Sequence, residues 1–191
     1  MTGDAILWRR LDLPGHDSAR LSPRDGGWLL AGTALFAHDG LPCRLDYRVL
    51  CDAAFHTESA TVEGWAGREP VRHHLAADTH RRWRLDGVEQ PQVEGCIDVD
   101  LGFTPATNLL ALRRLALPVG EQAAVRSAWL DFPGFATRPL PQTYHRTSDT
   151  TYAYVSEGGA FTAELRTNPT GFIVDYPGLW REENERDRDR E

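Results

Sequence analysis

Along most of this chain apolar residues alternate with polar ones, and a period of two marks a strand with one buried face and one wet face. Between Cys43 and Cys51, Leu45, Tyr47, Val49 and Cys51 share one side, while Arg44, Asp46 and Arg48 share the other. Between Gly95 and Phe103, Ile97, Val99, Leu101 and Phe103 alternate with Cys96, Asp98, Asp100 and Gly102. The same pattern predicts strands over Ile6–Leu13, Trp28–Phe36, Thr57–Ala66, Val71–Ala76 and Arg81–Leu85. Later strands are predicted over Ala123–Phe132, Gln142–Thr147, Thr151–Val155, Ala160–Arg166 and Gly171–Tyr176. Turn pairs such as Asp39-Gly40, Asp86-Gly87 and Gly158-Gly159 separate many of them. One other segment is ambiguous. Thr104-Pro105 can open a helix in which Leu109, Leu112 and Leu115 recur at helical spacing, and the same residues also suit an extended strand.

A sheet with one apolar face must cover that face, and helices are scarce here. The sheet is therefore expected to curl on itself, stack on a second sheet or wrap a ligand. We expect an all-β fold, a curved antiparallel sheet forming an incomplete or closed barrel with few helices. The length of 191 residues suits one domain. Residues 1–180 read as that barrel-like domain. Residues 181–191 contain no apolar side chain and read as a charged, disordered tail. The pattern apolar-Asp-apolar-Pro-Gly occurs at Leu11–Gly15, Leu130–Gly134 and Val174–Gly178. Pro-Gly fits the centre of a type II turn, so three strands ending in the same favoured turn explain it more simply than an internal duplication.

Composition narrows the function classes. The formal net charge is -7, which argues against nucleic acid as a partner, since phosphate binding draws on a basic surface. All 21 basic side chains are Arg. No apolar run has the length of a signal peptide or a membrane span. The cysteines, Cys43, Cys51 and Cys96, are odd in number and lack CxxC spacing, so they are expected to be free thiols in a reducing cytoplasm. No nucleophile elbow, P-loop, HExxH or dinucleotide fingerprint occurs, so no catalytic residue, metal or cofactor is assigned.

The remaining chemical groups fit ligand binding better than catalysis. Asp98 and Asp100 fall on one strand face roughly 6.5–7 Å apart, where they can accept hydrogen bonds from hydroxyls. Salt-bridging across the sheet is the simpler role for such a pair. His73 and His74 point to opposite faces of a strand, and with His80 they lack the converging ligands of a zinc site. Arg81-Arg82-Trp83-Arg84 could meet an anionic or sugar ligand, although a wet strand face with Trp83 in the core is simpler. Trp65, Trp129, Tyr144, Tyr152 and Tyr154 lie in strand patterns and suit either a core or a pocket wall.

The run from Gly95 to Asn108, followed by Arg113-Arg114-Leu115, resembles a bacterial family named "putative glycolipid-binding" proteins, formerly a domain of unknown function. Tyr176-Pro177-Gly178-Leu179-Trp180 and Val62-Glu63-Gly64-Trp65 resemble it too, and the resemblance spans Trp28 to Trp180. It implies a curved antiparallel sheet in an incomplete barrel, similar to bacterial lipoprotein carriers, and brings no catalytic residues. On this basis the chain is expected to bind a glycolipid or another small amphipathic or glycosyl ligand in a concave cavity near Gly95–Asn108. The expected ligand-binding residues are Trp65, Asp98, Asp100, Asn108, Arg113, Trp129, Tyr152 and Tyr154. An acyl chain is expected if Ile97, Val99, Leu101 and Phe103 face the cavity, and a polar ligand if Asp98 and Asp100 do. Two rivals are an uncharacterised enzyme using the same carboxylates and an interaction domain with a filled barrel. The oligomeric state is not specified by any of these residues.

Overall fold

The computed structural model describes residues 4–184. Eight strands run consecutively: β1 (Asp4–Arg10), β2 (Gly15–Arg24), β3 (Gly27–His38), β4 (Leu41–Asp52), β5 (Thr57–Ala66), β6 (Glu69–Ala77), β7 (Trp83–Leu85) and β8 (Val88–Glu89). A 3-10 turn at Pro91–Val93 leads to β9 (Val99–Leu101) and the helix α1 (Asn108–Leu115). The chain continues through β10 (Gln122–Leu130), β11 (Thr137–Arg146), β12 (Thr151–Ser156), β13 (Phe161–Thr167), β14 (Ile173–Tyr176) and β15 (Trp180–Glu182). All fifteen strands form one sheet in the order β8 to β1, then β15 to β9. Every neighbouring pair is antiparallel except β9 and β10. Pairing of β1 with β15 joins the two meanders, with Arg10 opposite Trp180.

The sheet is strongly curved and does not close, so the closed-barrel alternative is corrected to an open one. A strap at residues 90–98 crosses between the edge strands instead of a hydrogen-bonded ladder. On one side the Trp83 indole donates to the Cys96 carbonyl at 2.9 Å. The Arg81 guanidinium donates to the carbonyls of Thr57, Cys96 and Ile97 at 2.8, 3.1 and 2.5 Å. On the other side Gln92 Nε2 donates to Thr137 Oγ1 at 2.8 Å. This irregular backbone is why β9 covers only Val99–Leu101, shorter than the Gly95–Phe103 strand the alternation suggests.

The ambiguous Leu-rich segment is a helix. It starts at Asn108 rather than at Pro105, and Leu109, Leu110, Ala111 and Leu112 are all buried. Arg113 and Arg114 occupy its last turn, where cations favour the dipole. The helix, with Phe103 and Ala106, fills much of the curve of the sheet, packing into one core with Leu30, Leu45, Val62 and Leu165. A fully buried leucine contributes about 1.5–3 kcal/mol, so this filling is a principal source of stability.

The three Pro-Gly sites each follow the end of a strand, β1, β10 and β14, but only Gly178, at φ 75°, has the positive φ that the centre of a type II turn needs, and Gly15 already opens β2, so the shared turn type holds at one site of the three. Arg181 and Glu182 pair with Arg9 and Trp8, so the sheet extends two residues into the charged C-terminal segment. Residues 185–191 of that segment lie outside the described residues. No helix among the described residues is long and apolar enough to cross a membrane.

Candidate functional site

Asp98 and Asp100 differ sharply although Asp98 immediately precedes β9 and Asp100 lies on it. Asp98 is buried and accepts from Arg114 on α1 at both oxygens, Oδ1 from Nε at 2.9 Å and Oδ2 from Nη2 at 2.5 Å. Such a bidentate pair holds the helix against the strand. Among the described residues Asp100 has no cationic partner. Its Oδ2 accepts from Gln142 Nε2 on β11 at 2.9 Å, and its side chain lines an open cleft of about 180 Å³.

Gln142 anchors the polar wall of this cleft. It accepts from Ser127 Oγ at 2.7 Å, and its Nε2 is shared between Asp100 and the Tyr154 hydroxyl, the latter at 2.9 Å. Burial pushes the Asp100 carboxyl up to about 6, an effect that Gln142 opposes and the nearby Asp98 charge reinforces. Burial likewise pushes the Tyr154 phenol up to about 12. Asn108, at the start of α1, donates to the Tyr144 hydroxyl at 2.9 Å. Around these groups stand Trp129, Phe161, Tyr176 and Trp180, with Glu157 at the rim. Tyr154, Phe161 and Tyr176 pack mutually with ring centroids 5.9–6.2 Å apart. Gly102 gives Trp129 its place, because a Cβ there would stand 2.6 Å from Trp129 Nε1 and force the indole to shift.

The eight residues expected to form one site therefore separate. Asp100, Asn108, Trp129 and Tyr154 converge on the cleft. Asp98 lies behind it, committed to Arg114. Arg113 and Tyr152 line a different cleft, of about 190 Å³, beside the other end of α1. Trp65 lines neither; it is 38% exposed, on the side of β5 opposite the buried Ala60 and Val62. Glu157, Phe161, Tyr176 and Trp180 also line the cleft, with Gln142 buried behind it; Tyr176 and Trp180 stand in a motif that carries the resemblance, but none of the five was expected at the site, since local sequence does not mark a wall assembled from distant strands.

A second polar cluster lies deeper. Asp17 on β2 is buried and accepts from the Tyr47 hydroxyl at 3.0 and 3.2 Å. It also accepts a short hydrogen bond from Thr104, a residue that lines the cleft. Gly32 makes this possible, since a Cβ there would fall 2.3 Å from the Tyr47 oxygen. Desolvation pushes the Asp17 carboxyl up to about 7 against these donors and the Arg10 charge.

The other chemical candidates have ordinary partners. Arg82 and Arg84 pair with Asp78 and Glu89 at 2.7 and 2.9 Å, Trp83 is in the core, and His73 contacts Asp86 at 2.8 Å. Cys43, Cys51 and Cys96 are buried and unpaired, and burial pushes the Cys51 thiol up to about 12. No cluster of three metal-ligating side chains occurs among the described residues.

Comparison with known proteins agrees with this architecture. The family description "Putative glycolipid-binding" matches residues 5–182. Among solved structures, a DUF1089 family protein from Pseudomonas aeruginosa superposes with a TM-score of 0.76 at 32% identity, covering 86% of this chain and 91% of that one. No curated protein matches the chain.

Proposed function

The chain belongs to the "Putative glycolipid-binding" family, and on that premise we propose that the cleft beside β9 binds the glycosyl headgroup of an amphipathic ligand. The observation that carries this reading is Asp100, a cation-free carboxylate at the cleft, held by Gln142 and ringed by aromatic side chains. Carboxylate, amide and phenol groups supply the acceptors and donors that sugar hydroxyls need, and indole and phenyl faces suit the apolar face of a sugar ring. No Arg lines the cleft, and its charged groups are Asp100 and Glu157, which favours a neutral polyol over an anion.

The cleft, at about 180 Å³, is smaller than the roughly 300–1,000 Å³ of sites that enclose drug-sized molecules. With α1 filling the curve of the sheet, the acyl part of a glycolipid would remain outside, so binding draws on headgroup contacts. The cytoplasm is taken as the compartment, supported by three buried, unpaired thiols.

Native mass spectrometry of protein purified from cells identifies the class of any retained ligand. Calorimetric titration with a panel of methyl glycosides then tests the cleft directly. Asp100→Asn is the variant of choice, because Asp98 is needed by Arg114. It is expected to weaken binding by about 1–3 kcal/mol. Unchanged affinity in a folded Asp100→Asn protein removes the carboxylate from the site.

A further inference from the structure

The cleft beside the C-terminal end of α1 has a chemistry opposite to that of the glycosyl cleft. Two arginines, Arg113 and Arg146, line it, and neither has a carboxylate partner among the described residues. Arg113 packs over Gly171, where a Cβ would stand 3.5 Å from its Cδ. Its guanidinium lies 5.2 Å from the Phe55 ring and 5.9 Å from that of Trp28. Those rings brace the group, while it spends one donor on a long 3.4 Å bond to the Thr170 carbonyl. Arg146 is fixed by donating to the carbonyls of Leu117, Ser148 and Asp149 at 2.7, 3.2 and 2.8 Å. Five N–H groups per guanidinium leave Arg146 with two unspent donors and Arg113 with four.

Asn168 adds a third source. Its Oδ1 accepts from the backbone N–H groups of Thr170, Gly171 and Phe172 at 3.0–3.1 Å, which shapes the loop and leaves its amide NH2 without a partner among the described residues. Donors from two guanidiniums and an amide thus border one cleft, and Asp149 is the single carboxylate in its lining. An occupant that satisfies them is a compact oxyanion with several acceptor oxygens.

We propose that this cleft, bordered by Arg113, Arg146 and Asn168, is a binding site for a phosphoryl group. It is separate from the glycosyl cleft and does not depend on it. The phosphoryl group belongs either to free phosphate or to a phosphorylated lipid headgroup, since both present anionic non-bridging oxygens to the two guanidinium forks.

Isothermal titration of the full chain at low ionic strength, with inorganic phosphate and in parallel with dihexanoyl-phosphatidylglycerol below its micellar concentration, tests this. Saturable binding of one or both is expected. Tighter binding of the phospholipid identifies a headgroup site, and comparable or tighter binding of phosphate identifies a free-anion site. Arg113→Gln changes an exposed side chain and is expected to weaken binding by about tenfold or more. Arg146→Lys keeps the charge but loses the fork, and should also weaken it. Asp149→Asn removes the opposing charge and should tighten it, while Asp100→Asn, in the other cleft, should leave it unchanged. Absence of saturable binding to both probes overturns the proposal, as does phosphate affinity indifferent to Arg113→Gln in protein of unchanged circular dichroism.

Discussion

The two halves of the sheet carry different interiors. Strands β1–β8 bury Leu30, Ala34, Leu45, Val49, Val62 and Leu75, with the Asp17–Tyr47 pair and Thr57 as polar insertions. Strands β9–β15 bury Gln142, Tyr144, Tyr154, Ser156 and Tyr176, and the cleft opens among them. An aliphatic face has no use for solvent and packs tightly; a face of phenols, amides and carboxylates must satisfy each polar group or leave it to a ligand. On the proposed function the first half is the scaffold and the second the recognition surface. Helix α1 is pinned to the second half by the Asp98–Arg114 pair just before β9 and by Asn108–Tyr144 on β11, while its leucines pack into the core shared with Leu30, Leu45 and Val62 of the first half, so it mediates between the two.

The largest expected effect comes from breaking that mediation. Asp98→Ala leaves Arg114 partly buried without its carboxylate, and the loss of one partner of a buried pair costs about 3–5 kcal/mol. Urea denaturation should show this in the midpoint, with circular dichroism still dominated by strand. A loss below 1 kcal/mol would mean that the helix is held by leucine packing alone.

The scaffold half has its own pH signature. Asp17 is raised to about 7 in the folded protein against an ordinary 3.8. Between those values the folded state holds a proton that the unfolded state has released. The stability that Asp17 contributes is thus fully present below about pH 4, declines as pH rises towards 7, and is lost above it. The shift corresponds to about 4 kcal/mol at most. Chemical denaturation of Asp17→Asn across this interval should show a flatter profile than the unsubstituted protein; parallel profiles would mean that Asp17 is ionised throughout.

How far these features were legible follows the same division. Where one face is uniformly apolar, as in Cys43–Cys51, alternation locates the strand to within two residues at either end, Leu41–Asp52 being observed. Strand β2 was overlooked because its inward positions are Asp17, Ala19 and Leu21, and the buried acid interrupts the apolar pattern. Placed on the inward register, that same irregularity would have marked the polar cluster. Asp100, Asn108, Trp129 and Tyr154 were found because they lie in or near one distinctive stretch, or in aromatic strands. Tyr176 and Trp180 were not, because they reach the cleft, and Gln142 the groups behind it, only through a sheet order in which the chain crosses from β8 to β9. The difference between Asp98 and Asp100 depends on Arg114, whose position is set by the helix and not by the strand pattern.

A smaller effect tests the mouth of the recognition half. Gly102→Ala would place a methyl group 2.6 Å from Trp129 Nε1, close enough to force the indole aside. Trp129 is a partly exposed ring under Arg138, whose guanidinium carbon lies 4.5 Å from its centroid, so the ring can yield. Stability should fall by about 1 kcal/mol, in the range of ordinary single substitutions. Methyl glycoside affinity should fall by more than that if the indole is a sugar platform. Equal affinity in the two proteins would remove Trp129 from the site.

The smallest expected effect is the pH dependence of glycoside binding. Asp100 titrates near 6 in the free protein because burial opposes its charge. Above that pH the ionised carboxylate accepts hydroxyl hydrogen bonds at both oxygens, of which Oδ2 is already shared with Gln142. Below it, one oxygen carries a proton and one acceptor position is lost. A single charge-assisted bond exceeds a neutral one by about 1 kcal/mol, so affinity should weaken several-fold between pH 7.5 and pH 5. Asp17 also titrates in this interval and touches Thr104 at the cleft, so the control is Asp17→Asn, which should retain the dependence, while Asp100→Asn should abolish it. The reverse assignment would show that the scaffold half, through Thr104, governs the cleft, and the division between the two halves would then have to be given up.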